Sequence, residues 1–148
     1  DLYSRLMTKV EAAVKDQSVK TVTFLWMQGE RDAREGLGAL YKESLLGLYQ
    51  QVCDDMERTD VNFIIGRLSD FGLRNTDYPD WKMIRDIQMQ VADSSPHFVW
   101  VDTDDLNDGI DNKGNMVSND LHMSAEGYKT MGVRFAQAAI RLLQQQKK

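Results

Sequence analysis

Two short stretches hold the side chains best suited to hydrolysis. Trp26-Met27-Gln28-Gly29-Glu30 places an amide, a residue without a side chain and a carboxylate directly after a run of apolar, β-prone residues. Far downstream, Asn119-Asp120-Leu121-His122 carries one of the chain's two histidines beside an amide and an acid. Histidine is the usual general base near neutral pH, and His122 stands in a polar run just ahead of an expected helix. Gln28 lies against Trp26 and Met27, where an unpaired amide would be costly. A glutamine fixed there can donate to an oxyanion, a role in which one donor is worth about 3–4 kcal/mol. Glu30 can accept from nearby backbone N–H groups or orient a histidine. His97, next to Pro96, reads as structural.

The nucleophile is the gap in this set. Ser69, in Gly66-Arg67-Leu68-Ser69-Asp70, falls at a strand end and is the best internal candidate. It lacks the glycine-flanked turn that exposes an activated serine. Ser118 and Ser124 are too near His122 in sequence to face it across a cleft. Cys53 is the single cysteine, so no internal disulfide can form, and its apolar helical neighbours make it core filler.

Other chemistries fit less well. Asp102, Asp104, Asp105, Asp108 and Asp111 form an acidic loop, but Leu106 falls where a calcium loop requires an acid. The acids read as a solvated loop. One cysteine and two separated histidines make no structural zinc set. Gly29, Gly36 and Gly38 match no nucleotide-binding pattern. No metal or organic cofactor is therefore expected. A net charge of -5, with basic residues clustered nowhere except at the closing Lys147-Lys148, argues against a nucleic-acid surface. No segment has the roughly 18 apolar residues of a membrane span.

The elements that must position these residues follow from periodicity. The 148 residues suit one domain, and 42% apolar composition permits a core. Leu2, Leu6, Met7, Val10 and Val14 predict a helix over 1 to about 16. Thr21 to Met27 is a continuous apolar run, typical of a parallel strand covered on both faces. Residues 29–38 read as a loop. Leu40 to Met56 carries an apolar helical face. Val61 to Leu68 is a second buried strand, and 69–79 a loop punctuated by Gly72, Asn75 and Pro79. Asp80 is placed to cap a helix bearing Trp81, Ile84, Ile87 and Val91. Phe98 to Val101 is a third strand, 102–119 a long polar loop, and a final helix starts near Ser124. Helices alternating with strands imply an α/β fold with a parallel sheet. In such sheets ligands bind at the carboxyl ends of the strands, where Gln28, Glu30 and Ser69 fall. The first strand is too apolar for an exposed edge, so another strand is expected to pair beside it, from a preceding segment or a second chain.

Together these residues resemble the SGNH-hydrolase superfamily, and within it the carbohydrate-esterase branch of sialate O-acetylesterases and acetyl xylan esterases. That branch carries Trp-x-Gln-Gly-Glu-Ser-Asp-Ala after a strand. Here the block reads Trp26-Met27-Gln28-Gly29-Glu30-Arg31-Asp32-Ala33. Gly66 to Asp70, and Asp120 to Tyr128, are similar to that branch as well. The resemblance implies a three-layer, flavodoxin-like α/β fold of five parallel strands, of which this chain supplies three, with four helices. It implies that residues 1–148 are the carboxyl-terminal portion of one esterase domain. The nucleophilic serine then lies on a preceding segment, in a Gly-Gln-Ser-Asn block that is absent here. It also places Gly29 and Arg31 at the substrate, Arg31 standing where a serine is usual. An Asp is usual three residues before the histidine. Asn119 stands there, leaving the third triad member open among Asp120, Asn119 and Glu30.

The expected activity is removal of acetyl groups from carbohydrate hydroxyls, with His122, Asp120, Glu30 and Gln28 in the catalytic set. The expected partners are an acetylated carbohydrate and the serine-bearing segment. The rivals are a non-catalytic module of the same fold that binds glycan or protein, and a lipase or thioesterase of the same superfamily.

Overall fold

The computed structural model describes residues 1–73, 76–111 and 113–146. Asn75 and the Lys147-Lys148 pair lie outside the described residues. Helix α1, Leu2–Val14, begins where the Asp1 carboxylate accepts from the Ser4 N–H. Strand β1, Thr23–Trp26, follows and is shorter than the apolar run that encodes it. Helix α3, Gly38–Asp55, leads to strand β2, Asn62–Gly66, whose five residues are all buried. Helix α4, Trp81–Ala92, leads to strand β3, Phe98–Val101. The last helix, α5, Ala125–Gln145, is capped by the Ser124 hydroxyl, which accepts from the Gly127 N–H.

The three strands are parallel in the order β1-β2-β3, with Phe24 opposite Phe63 and Ile65 opposite Trp100. Alternating residues feed two cores. Phe63 and Ile65 pack with Tyr41 and Leu45 of α3 and with Trp81, Ile84 and Val91 of α4. Ile64 and Val101, on the opposite face, pack against Phe135, Ala138 and Leu142 of α5. Helices thus cover both faces of a parallel sheet, the three-layer α/β arrangement expected. No helix among the described residues is long and apolar enough to cross a membrane.

Three local expectations are corrected. The segment 29–38 is not all loop: Glu30–Arg34 forms a short helix, α2, starting at Gly29 with φ of 150°. Glu30 and Asp32 in its first turn favour it through the helix dipole. The loop after β3 contains a hairpin of β4, Gly109–Ile110, and β5, Met116–Val117. Its strands are too short for periodicity to register. Asp80 stands at the start of α4 but caps nothing with its side chain; its carboxylate accepts instead from the Gly38 N–H at the start of α3, 2.8 Å away. A residue distant in sequence offered the better donor.

Strand β1 pairs only with β2, so one side of it carries no ladder among the described residues. Leu25 at its centre is 50% exposed, and Leu40 on α3 is exposed too. This is the edge that the sequence marks as too apolar for solvent.

Helix α5 meets the loop after β3 at one crowded point. A Cβ on Gly127 would overlap the Leu106 carbonyl oxygen, and Gly127 is buried. Backbone cannot yield as a flexible side chain can. Gly127→Ala is expected to destabilise the fold by about 2–3 kcal/mol, read as a lower urea midpoint.

Candidate active site

The site is built on main-chain groups that leave the sheet. Beyond the ends of the parallel strands the backbone has no ladder partner, yet much of it is buried and must be paired. Gln88 of α4, itself fully buried, does this for two strands at once. Its Oε1 accepts from the Leu68 N–H at 2.8 Å, and its Nε2 donates to the Gln28 carbonyl at 3.0 Å. The Tyr41 hydroxyl donates to the same carbonyl at 2.6 Å. Burial pushes that hydroxyl up to about 12, and the Asp32 and Glu30 carboxylates push the same way against the bonds from Trp26 and Gln88. It therefore stays protonated, and remains a donor, across the neutral range.

Past β2, the Arg85 guanidinium donates to the Leu68 carbonyl and the Trp81 indole to the Ser69 carbonyl. The Thr103 hydroxyl donates to the Arg67 carbonyl. Arg85 and Arg67 both hold Asp104, Arg67 also reaches Asp102, and the Arg67 guanidinium lies 4.6 Å from the Trp100 ring centre. Asp105 pairs with Arg134 of α5 at 2.7 Å. The acidic run, expected as a solvated loop, is so only in part: Asp102, Asp105 and Asp108 are exposed, but Asp102, Asp104 and Asp105 also brace the end of β2, α4 and α5. Burial acts to raise the Asp104 carboxyl, but Arg85 and Arg67 outweigh it and hold it below the ordinary 3.8.

Asn107 carries the brace to the histidine. Its buried side-chain nitrogen donates to the Ser69 hydroxyl at 3.3 Å and to the Asp120 carbonyl at 3.2 Å, while the Asn107 backbone carbonyl accepts from the Asp120 N–H. Asn119, at φ 51°, accepts on Oδ1 from the Gly72 N–H at 3.1 Å. An asparagine tolerates that left-handed backbone better than most residues. The Asp120 carboxylate accepts from the His122 backbone N–H at 2.9 Å. It fixes the main chain at His122 rather than the ring, and no described residue hydrogen-bonds to the imidazole.

His122 is exposed and lines a cavity of about 240 Å³ with Glu30, Ser69, Trp81 and Met27. Histidine from the loop before α5 and carboxylate from the first turn of α2 thus meet in one cavity. Glu30 accepts on Oε2 from the Gly29 N–H at 2.9 Å. Gly29 is buried, and a Cβ there would press on Ile84 and Leu68, so this residue shapes the turn. A second cavity of about 430 Å³ shares His122 and is lined by Asp111, Asp120 and Tyr128. Gln28 is not among the lining residues of either. Its Nε2 donates to Asp32 Oδ2 at 2.6 Å, and it lines a third cavity of about 200 Å³ with Trp26, Asp32 and Tyr41. Arg31 lines a separate cleft beside Glu30, with Arg34 and Tyr78.

Ser69 shares the cavity with His122, but it is buried and its hydroxyl is engaged by Asn107. Several residues of this frame escape sequence reading, among them Gln88, Asn107 and Tyr41. Gln88 and Asn107 are polar residues in ordinary polar contexts, and only burial reveals them. Tyr41 falls on the apolar stripe of α3, which hides its hydroxyl.

A family model described as "Carbohydrate esterase, sialic acid-specific acetylesterase" matches residues 1–141. No curated protein matches the chain. Among solved structures, the X-ray structure of an Arabidopsis thaliana protein aligns with a TM-score of 0.71 at 24% identity. The alignment covers 95% of this chain and 52% of that one, so the chain spans about half the length of that relative. At this identity the likeness is one of fold.

The brace gives a signed pH dependence. A folded-state carboxyl held below its unfolded value contributes stability that is present above about pH 4 and lost as pH falls through the folded value. Asp104→Asn is expected to lower the urea midpoint at pH 7 and to flatten its decline between pH 5 and 2. Parallel acid limbs in the two proteins would show that Asp104 carries none of that dependence. Asn107→Ala is expected to cost about 1–3 kcal/mol, because it strips partners from buried polar groups, read by urea titration.

Proposed function

Because the chain belongs to the sialic acid-specific acetylesterase family of carbohydrate esterases, we propose that it forms part of a serine esterase that removes acetyl groups from sugar hydroxyls. The observation that carries this reading is the shared cavity of His122 and Glu30 at the carboxyl end of the sheet, reached by no exposed serine of the described residues. The attacking hydroxyl in this proposal comes from a segment that pairs beside β1. Three features support that: the unpaired edge of β1, the exposed Leu25, and a solved relative about twice as long.

In the proposed reaction the serine oxygen bonds to the acetyl carbon while His122 takes the serine proton. The carbonyl oxygen becomes an oxyanion, and Gln28, which lines the cavity with Trp26 of β1 rather than that of His122, meets it with its second N–H where the serine-bearing segment pairs beside β1. The sugar C–O bond breaks as His122 returns the proton to the leaving oxygen. Water, deprotonated by the same imidazole, then releases acetate and restores the serine. Asp120 sets the backbone on which the imidazole is mounted. Glu30 faces the shared cavity and is the carboxylate available to steady the imidazolium. Arg31, in the cleft beside Glu30, contacts the sugar rather than the reacting carbon.

A second reading keeps the nucleophile within this chain, since Ser69 lies in the same cavity as His122. The Asn107 bond weighs against it, because it holds the hydroxyl oxygen as an acceptor without placing its proton toward the base. The test is acetate release from acetylated xylose and from O-acetylated sialic acid by the full-length protein containing this chain. His122→Ala is expected to lower kcat at least about 1,000-fold. Ser69→Ala is expected to retain most turnover, and a loss as deep as that of His122→Ala would move the nucleophile to Ser69. Full-length protein that binds acetylated glycan but releases no acetate would be a non-catalytic module.

A further inference from the structure

Gln28 is held at both of its polar ends. Its backbone carbonyl accepts from the Tyr41 hydroxyl at 2.6 Å and from Gln88 Nε2 at 3.0 Å. Tyr41 is held in turn by the Trp26 indole N–H at 3.1 Å. The Gln28 side-chain nitrogen donates to Asp32 Oδ2 at 2.6 Å. Main chain and amide are thus anchored separately, one by buried neutral groups and the other by an anion.

A glutamine amide presents nearly the same shape after a half-turn about its last bond, which exchanges its oxygen with its nitrogen. Neutral surroundings discriminate poorly between the two. An ionised carboxylate accepts only, so it attracts the nitrogen and repels the oxygen. Asp32 sits four residues on, in the first turn of α2, half-buried and within reach of the Gln28 nitrogen. One N–H of that nitrogen satisfies Asp32, and the other remains to be donated elsewhere. The cavity that Gln28 and Asp32 both line includes Trp26 of β1, the strand with an unpaired edge among the described residues.

Resting on the esterase reading above, we infer that Asp32 is a positioning residue for catalysis: its carboxylate fixes the Gln28 amide nitrogen-forward, so that the remaining N–H is set to receive the ester oxyanion. Preorganised donors do their work by needing no reorientation as charge develops. A misoriented Gln28 would present its oxygen to that charge and oppose the reaction. Asp32 touches neither substrate nor nucleophile in this role and acts only through Gln28.

The test uses full-length protein and 4-nitrophenyl acetate, with kcat, KM and thermal midpoint measured for each variant. Gln28→Ala is expected to lower kcat about 100-fold, the scale of one lost oxyanion donor. Asp32→Asn, whose own amide accepts either orientation of Gln28, is expected to lower kcat about 10-fold with KM within twofold. Asp32→Glu keeps the anion and is expected to recover most of that loss. In the Gln28→Ala background Asp32→Asn is expected to lower kcat no further, since there is no amide left to orient. An equal additional loss in that background, or a fall in thermal midpoint with kcat unchanged, overturns the role and leaves Asp32 as a helix-start residue. Full turnover in Gln28→Ala overturns it while leaving the esterase reading intact. No acetate release by the unaltered full-length protein overturns both.

Discussion

Parallel strands leave the sheet with main-chain groups that no neighbouring strand can pair, and in this protein those groups are buried. Their pairing organises everything beyond the strand ends. Gln88 spans from Leu68 at the end of β2 to Gln28 at the end of β1. Arg85, Trp81 and Thr103 take the carbonyls of Leu68, Ser69 and Arg67 in turn. An unpaired buried donor or acceptor costs about 1–3 kcal/mol, so each of these side chains is held to one position. The residues left to face the cavities are then set by what the frame does not consume.

His122 illustrates how far this reaches. Gly127 lets α5 approach the Leu106 carbonyl, and Leu106 precedes Asn107, which grips Ser69 and Asp120. Asp120 in turn accepts from the His122 N–H. The loop before α5 is therefore placed by contacts with a strand some fifty residues earlier. Its imidazole is free of described hydrogen bonds while its backbone is not. That arrangement suits a base that must exchange protons with groups arriving from outside.

Charge follows the same logic. Five aspartates in one loop look like a solvated face, yet Asp102, Asp104 and Asp105 are paired with Arg67, Arg85 and Arg134. Asp111 instead closes the turn of the hairpin, accepting from the Lys113 and Asn115 N–H groups. None of these acids is gathered with others around a space for a cation, and among the described residues no group of three or more metal-ligating side chains forms.

Much of this was legible in the order of residues. Largely apolar runs at 21–27, 61–68 and 98–101 point to parallel strands, because a sheet covered on both faces can use nearly every side chain of such a run. Helical spacing from Leu40 to Met56 marks the helix whose Tyr41, Leu45, Val52 and Cys53 are buried, whereas Leu40 at its start stays exposed. Position at strand ends singles out Gln28, Glu30 and Ser69, and residue type singles out His122. Short elements escaped, since α2 and the β4–β5 hairpin are too brief to show a period and exist through Gly29, first-turn acids and an Asp111-centred turn. Long-range pairing escaped as well. Asp80 looks like a cap but bonds Gly38, and Asp120 looks like an orienter of the ring but holds the main chain. Local sequence states which groups a residue offers, whereas its partner is whichever complementary group the fold brings within about 3 Å. That is why the strands and the chemistry-bearing residues could be read from the chain alone. The placing of Glu30 beside His122, and of Gln28 beside Asp32, was decided only when the sheet, α4 and the final loop were assembled.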